Sequence, residues 1–391
     1  MQFHVCPFVF LFRPLFGAPH TVLLQSMTNI AQPNRWHKIS QKGRNAVVDN
    51  NDHVSIHAHP SPETSIASKL VASPDSPVAG DSNICKKSQA PLAWCLFENW
   101  EQYLQILTKL CHLYNLPMET IGTSICGRDI PMVRLGNGKH KVLYVGTHHG
   151  CEWLTGALLL RFIDAYGTAF STRQRIAGVD LSFLYHTRSI FVVPVCNPDG
   201  MQLALCDDDK QNPNMNNLIA ANGGSRDFSH WKANGRGVDL NRNYDAGFAI
   251  CAARATPYMR QYGAPRGYCG TKAESEPETQ ALCDWIRKNV PLDLLLSFHT
   301  AGEEIYDTYE HYASDKVRNI ARILSRFSGY ALCRPPQSDA HGGLKDWYLQ
   351  TYRAPGYTIE CGRGETPLPS SMLEPLFIQL TSLLFCGAVL S

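Results

Sequence analysis

Four residues in this sequence have types that could gather on one small ion: His149, Glu152, His299 and Glu360. His149 and Glu152 lie three apart in Thr147-His148-His149-Gly150-Cys151-Glu152-Trp153. An imidazole and a carboxylate so spaced can point at one cation, and nitrogen with oxygen ligands suits a catalytic zinc. A helix-start glutamate beside a surface histidine gives the same pattern, so the pair alone decides little. His299 and Glu360 each close a short apolar run, Asp293 to Phe298 and Gly356 to Ile359. Two histidines and one glutamate would leave a fourth zinc position open to water, as a hydrolase needs.

The elements around these residues alternate. Val142-Leu143-Tyr144-Val145 reads as a strand buried on both faces, and from Glu152 the spacing of Leu154, Leu158, Leu159 and Phe162 is helical to about Tyr166. A helix is expected over Trp94 to Leu116, then strands over Ile130–Leu135 and Lys141–Gly146 joined by the Gly136-Asn137-Gly138 turn. Ser189 to Val195 reads as a buried strand ending in an Asn197-Pro198-Asp199-Gly200 turn, and about 205–234 as a long loop. Ser275 as N-cap and Glu278 three residues on predict a capping box for a helix to about Lys288. Helices are expected through Val317, Ile320 and Leu324, from Gly342-Gly343, and from Ser371 to Phe385. The fold class is therefore α/β, a single mixed, mostly parallel sheet flanked by helices. Strands ending in His149, His299 and Glu360 could bring these residues to one edge of it.

Composition sets the outer bounds. A 391-residue chain with 44% hydrophobic residues has room for one large domain, and a net charge of +2 gives no reason to invoke nucleic acid or an anionic membrane. No apolar run reaches the roughly 18 residues of a membrane span. Residues 1–93 read as a low-complexity or disordered extension, and 94–391 as the catalytic domain. Within the extension, Phe8 to Phe12 is a poor signal peptide, with no Lys or Arg before it and Arg13-Pro14 cutting it short. His53, His57 and His59 read as part of a solvated tail. The 14 cysteines form no Cys-x-x-Cys pair, and Cys196 and Cys361 read as small buried hydrophobes. Reduced thiols in a cytoplasm are the simpler expectation.

Taken together, His149-x-x-Glu152-Trp153, Asn197-Pro198-Asp199-Gly200, Asp239-Leu240-Asn241-Arg242-Asn243, His299, Gly342-Gly343-x-x-Asp346-Trp347 and Glu360 resemble the zinc carboxypeptidase family over roughly Phe97 to Leu390. The resemblance implies one zinc held by His149, Glu152 and His299, with Glu360 as general base. It also implies that Asn241 and Arg242 grip the terminal carboxylate of a peptide substrate. Trp231-Lys232 falls where the family commonly has Trp-Arg, so Lys232 would steady the developing oxyanion as a point charge.

Two positions depart from the family's digestive members. Their mobile tyrosine is replaced by Ser338, with no tyrosine between Ala331 and Trp347. Their specificity position is Lys345, whose ammonium would favour a negatively charged substrate side chain. The wording around His149, Trp231 and Gly342 is similar to the bacterial γ-D-glutamyl-diamino-acid peptidase branch, which implies cell-wall peptides ending in diaminopimelate. Two other functions compete: a zinc amidase or deacylase of small N-acyl amino acids, and a non-catalytic zinc-binding module. An intact Glu360 argues against the last. Oligomeric state is not legible.

Overall fold

A computed structural model describes residues 95–390. The expected 1–93 extension, its Phe8–Phe12 run and the histidines at 53, 57 and 59 lie outside the described residues. The main sheet is built from β1 (Met118–Thr123), β2 (Asp129–Leu135), β3 (His140–Val145), β6 (Arg188–Val193), β7 (Leu294–His299), β8 (Glu304–Tyr306), β9 (Ala331–Cys333) and β10 (Gly356–Glu360). A separate hairpin pairs β4 (Arg175–Ile176) with β5 (Val179–Asp180). The main sheet runs in the order β1-β2-β6-β3-β7-β10-β8-β9. Of its seven neighbour pairs, β3–β6, β3–β7, β7–β10 and β8–β9 are parallel and the rest antiparallel. The mixed α/β sheet is as expected.

The position of each strand follows from its composition. All six residues of β7 are buried, as is every residue of β3 from Val142 on, and these are the inner strands. Unbroken apolar runs need cover on both faces, and the helices supply it. On one side, α2 (Leu154–Ser171) and α11 (Leu373–Gly387) bring Phe162 and Phe385 together at 4.9 Å. Tyr144 of β3 meets Phe162 at 5.6 Å and Phe298 of β7 at 5.7 Å. Edge-on ring packing, as between Phe162 and Phe385 and between Tyr144 and Phe298, adds roughly 0.5–1.5 kcal/mol per pair beyond the buried area. No helix among the described residues is long and apolar enough to cross a membrane. Twelve cysteines are free among the described residues, and Cys196 and Cys361 are fully buried, as expected of small hydrophobes.

Several local expectations are corrected. The first helix, α1, spans Trp100–Tyr114 rather than starting at Trp94, because the Asn99 side chain caps it by accepting from the Gln102 N–H. The strands β2 and β3 are not neighbours, since β6 lies between them. Their connecting turn instead packs on the approach to β6, where Asn137 N–H donates to the Tyr185 carbonyl at 2.7 Å. A side chain at Gly138 would meet the Thr187 carbonyl carbon at 1.8 Å, which explains that glycine. Asn197-Pro198-Asp199-Gly200 opens a helix, α4 (Pro198–Cys206), after a short α3 (Leu181–Thr187). Asn197 accepts from the Gly200 N–H and proline takes the first turn, roles that turn and helix start share. The long loop contains α5 (Met215–Ala221), whose Leu218 packs with Leu203, Phe228, Trp231 and Ala233. Two further short helices, α6 (Phe248–Ala253) and α7 (Pro257–Tyr262), follow it.

The expected capping box also fails. Pro277 takes the first turn of α8 (Pro277–Asn289), so the N-cap is Glu276 and not Ser275. Ser275 donates its hydroxyl to Glu276 at 2.7 Å instead. The remaining helices, α9 (Asp315–Ser328) and α10 (Leu344–Tyr352), lie where the periodicity puts them.

Glu278 is consequently buried rather than capping. It accepts from the Ile125 N–H at 3.2 Å and from Asn234 at 3.3 Å. Burial, then the nearby Asp199 carboxylate, pushes its pKa from the ordinary 4.5 up to about 8. Between those values the folded chain holds a proton that the unfolded chain releases. The stability this confers is full below about pH 4.5 and is lost as pH rises through about 8. Glu278→Gln keeps the shape and removes the titration. Its stability relative to the parent, measured by denaturant unfolding, is expected to rise by about 2–4 kcal/mol between about pH 5 and pH 9. Parallel stability profiles would contradict this reading.

Candidate metal centre and the adjoining pocket

The carboxyl ends of β3, β7 and β10 lie side by side, because β7 pairs in parallel with both of the others. The β7–β10 register sets Glu360 opposite His299. From the end of β3 the chain passes through His148 and His149 into a short 3-10 turn, Gly150–Glu152. This turn is pinned from outside. The Gly150 N–H donates to the Lys232 carbonyl at 3.1 Å and the Cys151 N–H to the Trp231 carbonyl at 2.8 Å. A side chain at Gly150 would meet the Gly200 carbonyl oxygen at 2.2 Å, so only glycine allows α4 this close.

His149, Glu152 and His299 converge as a result. Each offers a donor atom within 4.8 Å of the other two. His149 Nδ1 lies 2.8 Å from Glu152 Oε1, and His299 Nδ1 lies 3.0 Å from Glu152 Oε2. The two Nδ1 atoms face each other at 3.3 Å. Two imidazole nitrogens turned on one another with a carboxylate between them form a donor set for a cation, and nitrogen and oxygen suit zinc. The outer ring nitrogens are held as metal-binding histidines require: His149 Nε2 lies 3.2 Å from Asp239 Oδ1, and His299 Nε2 lies 3.2 Å from Ser297 Oγ. His148, next to His149 in sequence, turns away to Tyr244 at 3.0 Å.

A second group of ligand types, Cys126, Asp199 and Asp209, fits a metal poorly. The Arg128 guanidinium already fills it, 2.8 Å from each carboxylate. Burial, then Asp199, pushes the Cys126 thiol well above its ordinary range, away from the thiolate that a metal binds.

Beside the histidine cluster lies a pocket of about 210 Å³. Glu360, Lys232, Asn241, Arg242 and Lys345 all line it together with His149 and Glu152, while His299 lies behind them in the cluster. Lys232 donates to Glu152 Oε1 at 2.7 Å. Burial disfavours its charge, but the Glu152 carboxylate outweighs this and holds the ammonium above its ordinary range. Glu360 is pushed up to about 8 by burial and then by Glu152. Asn241 and Arg242 sit on a 3-10 turn, Leu240–Arg242, capped by the Asp239 side chain. Arg242 is buried and bonds both the Asn241 carbonyl, at 2.8 Å, and the Asp339 carboxylate.

Lys345, in the first turn of α10, is buried with its ammonium 2.5 Å from Asp346 and 2.6 Å from the Thr308 carbonyl. Its charge is thus met from within the protein, where the sequence suggested a substrate carboxylate as the natural partner.

Several pocket groups escaped the sequence reading, Asp239, Tyr306 and Asp339 among them. Asp239 was visible only as part of a motif, because its contact with His149 spans 90 positions and depends on the fold. Tyr306, on the edge strand β8, brings a phenol to the pocket although none lies between Ala331 and Trp347. Asp339, in a loop of no regular pattern, had no signal at all.

The zinc carboxypeptidase family model matches residues 103–379. The chain is 32% identical over 306 residues to the γ-D-glutamyl-L-diamino acid endopeptidase 1 of Lysinibacillus sphaericus, covering 76% of this chain and 75% of that protein. It is 31% identical over 268 residues to the uncharacterized protein YqgT of Bacillus subtilis strain 168, covering 68% and 70%. Among solved structures, thrombin activatable fibrinolysis inhibitor superposes with a TM-score of 0.59 at 18% identity, over 77% of this chain and 75% of that one, a likeness of fold. The motifs, the convergent donor set and the family match agree: the chain belongs to the zinc carboxypeptidase family and is a zinc metallopeptidase.

Proposed function

We propose that this zinc metallopeptidase hydrolyses the amide bond before a diamino acid in γ-D-glutamyl peptides of the cell-wall type. The observation that carries the reading is the charge of the pocket beside the histidine cluster. Arg242, Lys345, Asp339 and Asp346 line one small cavity as two internal ion pairs, with which a ligand bearing both a carboxylate and an amine can exchange its own charges. A residue such as diaminopimelate, whose side chain carries a carboxylate and an amine, matches both. The Lysinibacillus relative, named for action on γ-D-glutamyl-L-diamino acids, supports the same substrate class.

In this reading His149, Glu152 and His299 hold the metal, and Asp239 and Ser297 fix the two imidazole tautomers. When bound, zinc supplies Lewis acidity toward the scissile carbonyl and lowers the pKa of water toward neutrality. Glu360 takes a proton from the attacking water and returns it to the leaving amine, a role suited to a carboxyl that burial raises above the ordinary carboxylate range. Lys232 supplies positive charge for the developing oxyanion, its flexible stem letting the ammonium turn from Glu152. Asn241 and Arg242 face the carboxylate of the residue after the scissile bond.

The direct test is a peptide panel, varied at its carboxyl end and including γ-D-Glu-diaminopimelate, with products identified by mass. Cleavage before the diamino acid is expected, and cleavage confined to small N-acyl amino acids would instead support an amidase. Purified protein is expected to hold about one zinc per chain. His299→Ala is expected to lose both metal and activity, and a variant retaining full zinc would sink the ligand set. Glu360→Gln is expected to keep its zinc while turnover falls by roughly 10²–10⁴-fold. Near-normal rates in that variant would mean that another group is the base. Lys345→Met is expected to lower kcat/KM by about 10-fold for diaminopimelate-ended peptides relative to apolar-ended ones. An unchanged preference order would remove Lys345 from substrate recognition.

A further inference from the structure

The guanidinium of Arg242 already carries a carboxylate partner. Arg242 is 8% exposed, and its Nη2 donates to Asp339 Oδ1. Asp339 lies in the 3-10 turn Gln337–Asp339, and its side chain remains 37% exposed. The turn is anchored independently of this contact. Arg254 donates to the Ser338 carbonyl at 2.8 Å and to the Gln337 carbonyl at 3.2 Å, and the Asp339 N–H donates to the Pro336 carbonyl at 2.7 Å. The second oxygen of Asp339 accepts from Ser338 Oγ at 3.2 Å. Both Asp339 and Arg242 line the pocket that Glu360 and His149 share.

A buried guanidinium without a counter-charge is costly. In a site built strictly for chain ends, the substrate's own carboxylate supplies that charge. Here Asp239, close by, and Asp339, in direct contact with the guanidinium, supply it before any substrate arrives, and of the two only Asp339 bonds the guanidinium where a carboxylate would. A free terminal carboxylate must therefore displace an existing ion pair, and its net gain is the difference between two similar pairs. A substrate with an amide or a further residue at that point leaves the Arg242–Asp339 pair in place and forfeits little.

We propose that Asp339 is a specificity-determining residue that occupies the carboxylate-recognition site from within, so that cleavage does not require a free terminal carboxylate. The substrate class then includes peptides capped or continued beyond the residue that follows the scissile bond. This rests on the reading of Arg242 as the group facing that carboxylate.

The test compares two matched ligand pairs on the zinc-loaded full chain, for the parent and for Asp339→Asn. One pair is a γ-D-glutamyl-lysine peptide as the free acid and as the terminal amide, read as kcat/KM. The other is Nα-acetyl-lysine and its amide, read as calorimetric affinity without turnover. In the parent, acid and amide are expected to differ by less than about 5-fold in both measurements. In Asp339→Asn the acid is expected to gain about 10- to 100-fold over the amide, since the internal competitor is gone. Asp339→Ala, checked for folding by circular dichroism, is expected to behave alike. A parent preference for the acid of about 100-fold or more would overturn the proposal, and so would an acid-to-amide ratio unmoved in both variants. Should neither peptide be cut, the assigned substrate class fails and the calorimetric arm decides the role of Asp339 alone.

Discussion

Much of this structure depends on one buried carboxylate. Glu152 is 1% exposed, and a carboxylate taken out of water at that depth is tolerated only when its oxygens are met. Four groups meet them: His149 Nδ1, His299 Nδ1, the Lys232 ammonium and the Thr300 N–H. They come from three separate stretches of chain, so satisfying Glu152 ties together the end of β3, the end of β7 and the loop before Asp239. Burial alone would raise its pKa, but the charges of His149 and Lys232 hold it well below the ordinary carboxylate range. The cluster is thus a ready-made negative centre ringed by nitrogen, and the fold is arranged to keep it so.

The surrounding elements serve that constraint in recognisable ways. Strands buried on both faces fix the positions of His299 and Glu360 to within one register. The glycine at 150 lets α4 press against the turn that carries Glu152. Trp231, packed with Phe228 and Leu218, holds the backbone that bonds the Gly150 and Cys151 N–H groups. Changes well away from the histidines would therefore be felt at the donor set through these contacts.

What was legible in the sequence was what repeats at short range. Continuous apolar runs gave β3, β7 and β10, and the polar residues closing them gave His149, His299 and Glu360 as neighbours. Illegible parts were those in which one residue type serves two local structures. Asn197-Pro198-Asp199-Gly200 reads as a turn yet starts a helix, because Asn and Pro stabilise both. Ser275 reads as a cap, but Pro277 shifts the helix start past it. Contacts between distant positions, such as Asp239 with His149 or Asp339 with Arg242, leave no periodic trace. Lys345 was legible as a pocket residue but not as one already neutralised, since its partners come partly from Thr308 on another segment.

The central claim is that one metal sits on two imidazole nitrogens and the Glu152 carboxylate. Zinc-edge X-ray absorption on the purified, zinc-loaded protein addresses that arrangement most directly. The account predicts a shell of nitrogen and oxygen scatterers at about 2.0–2.2 Å, with the signature of two imidazole rings and no sulfur. A sulfur scatterer at about 2.3 Å, as a site at Cys126 would give, or a spectrum without imidazole, would contradict it.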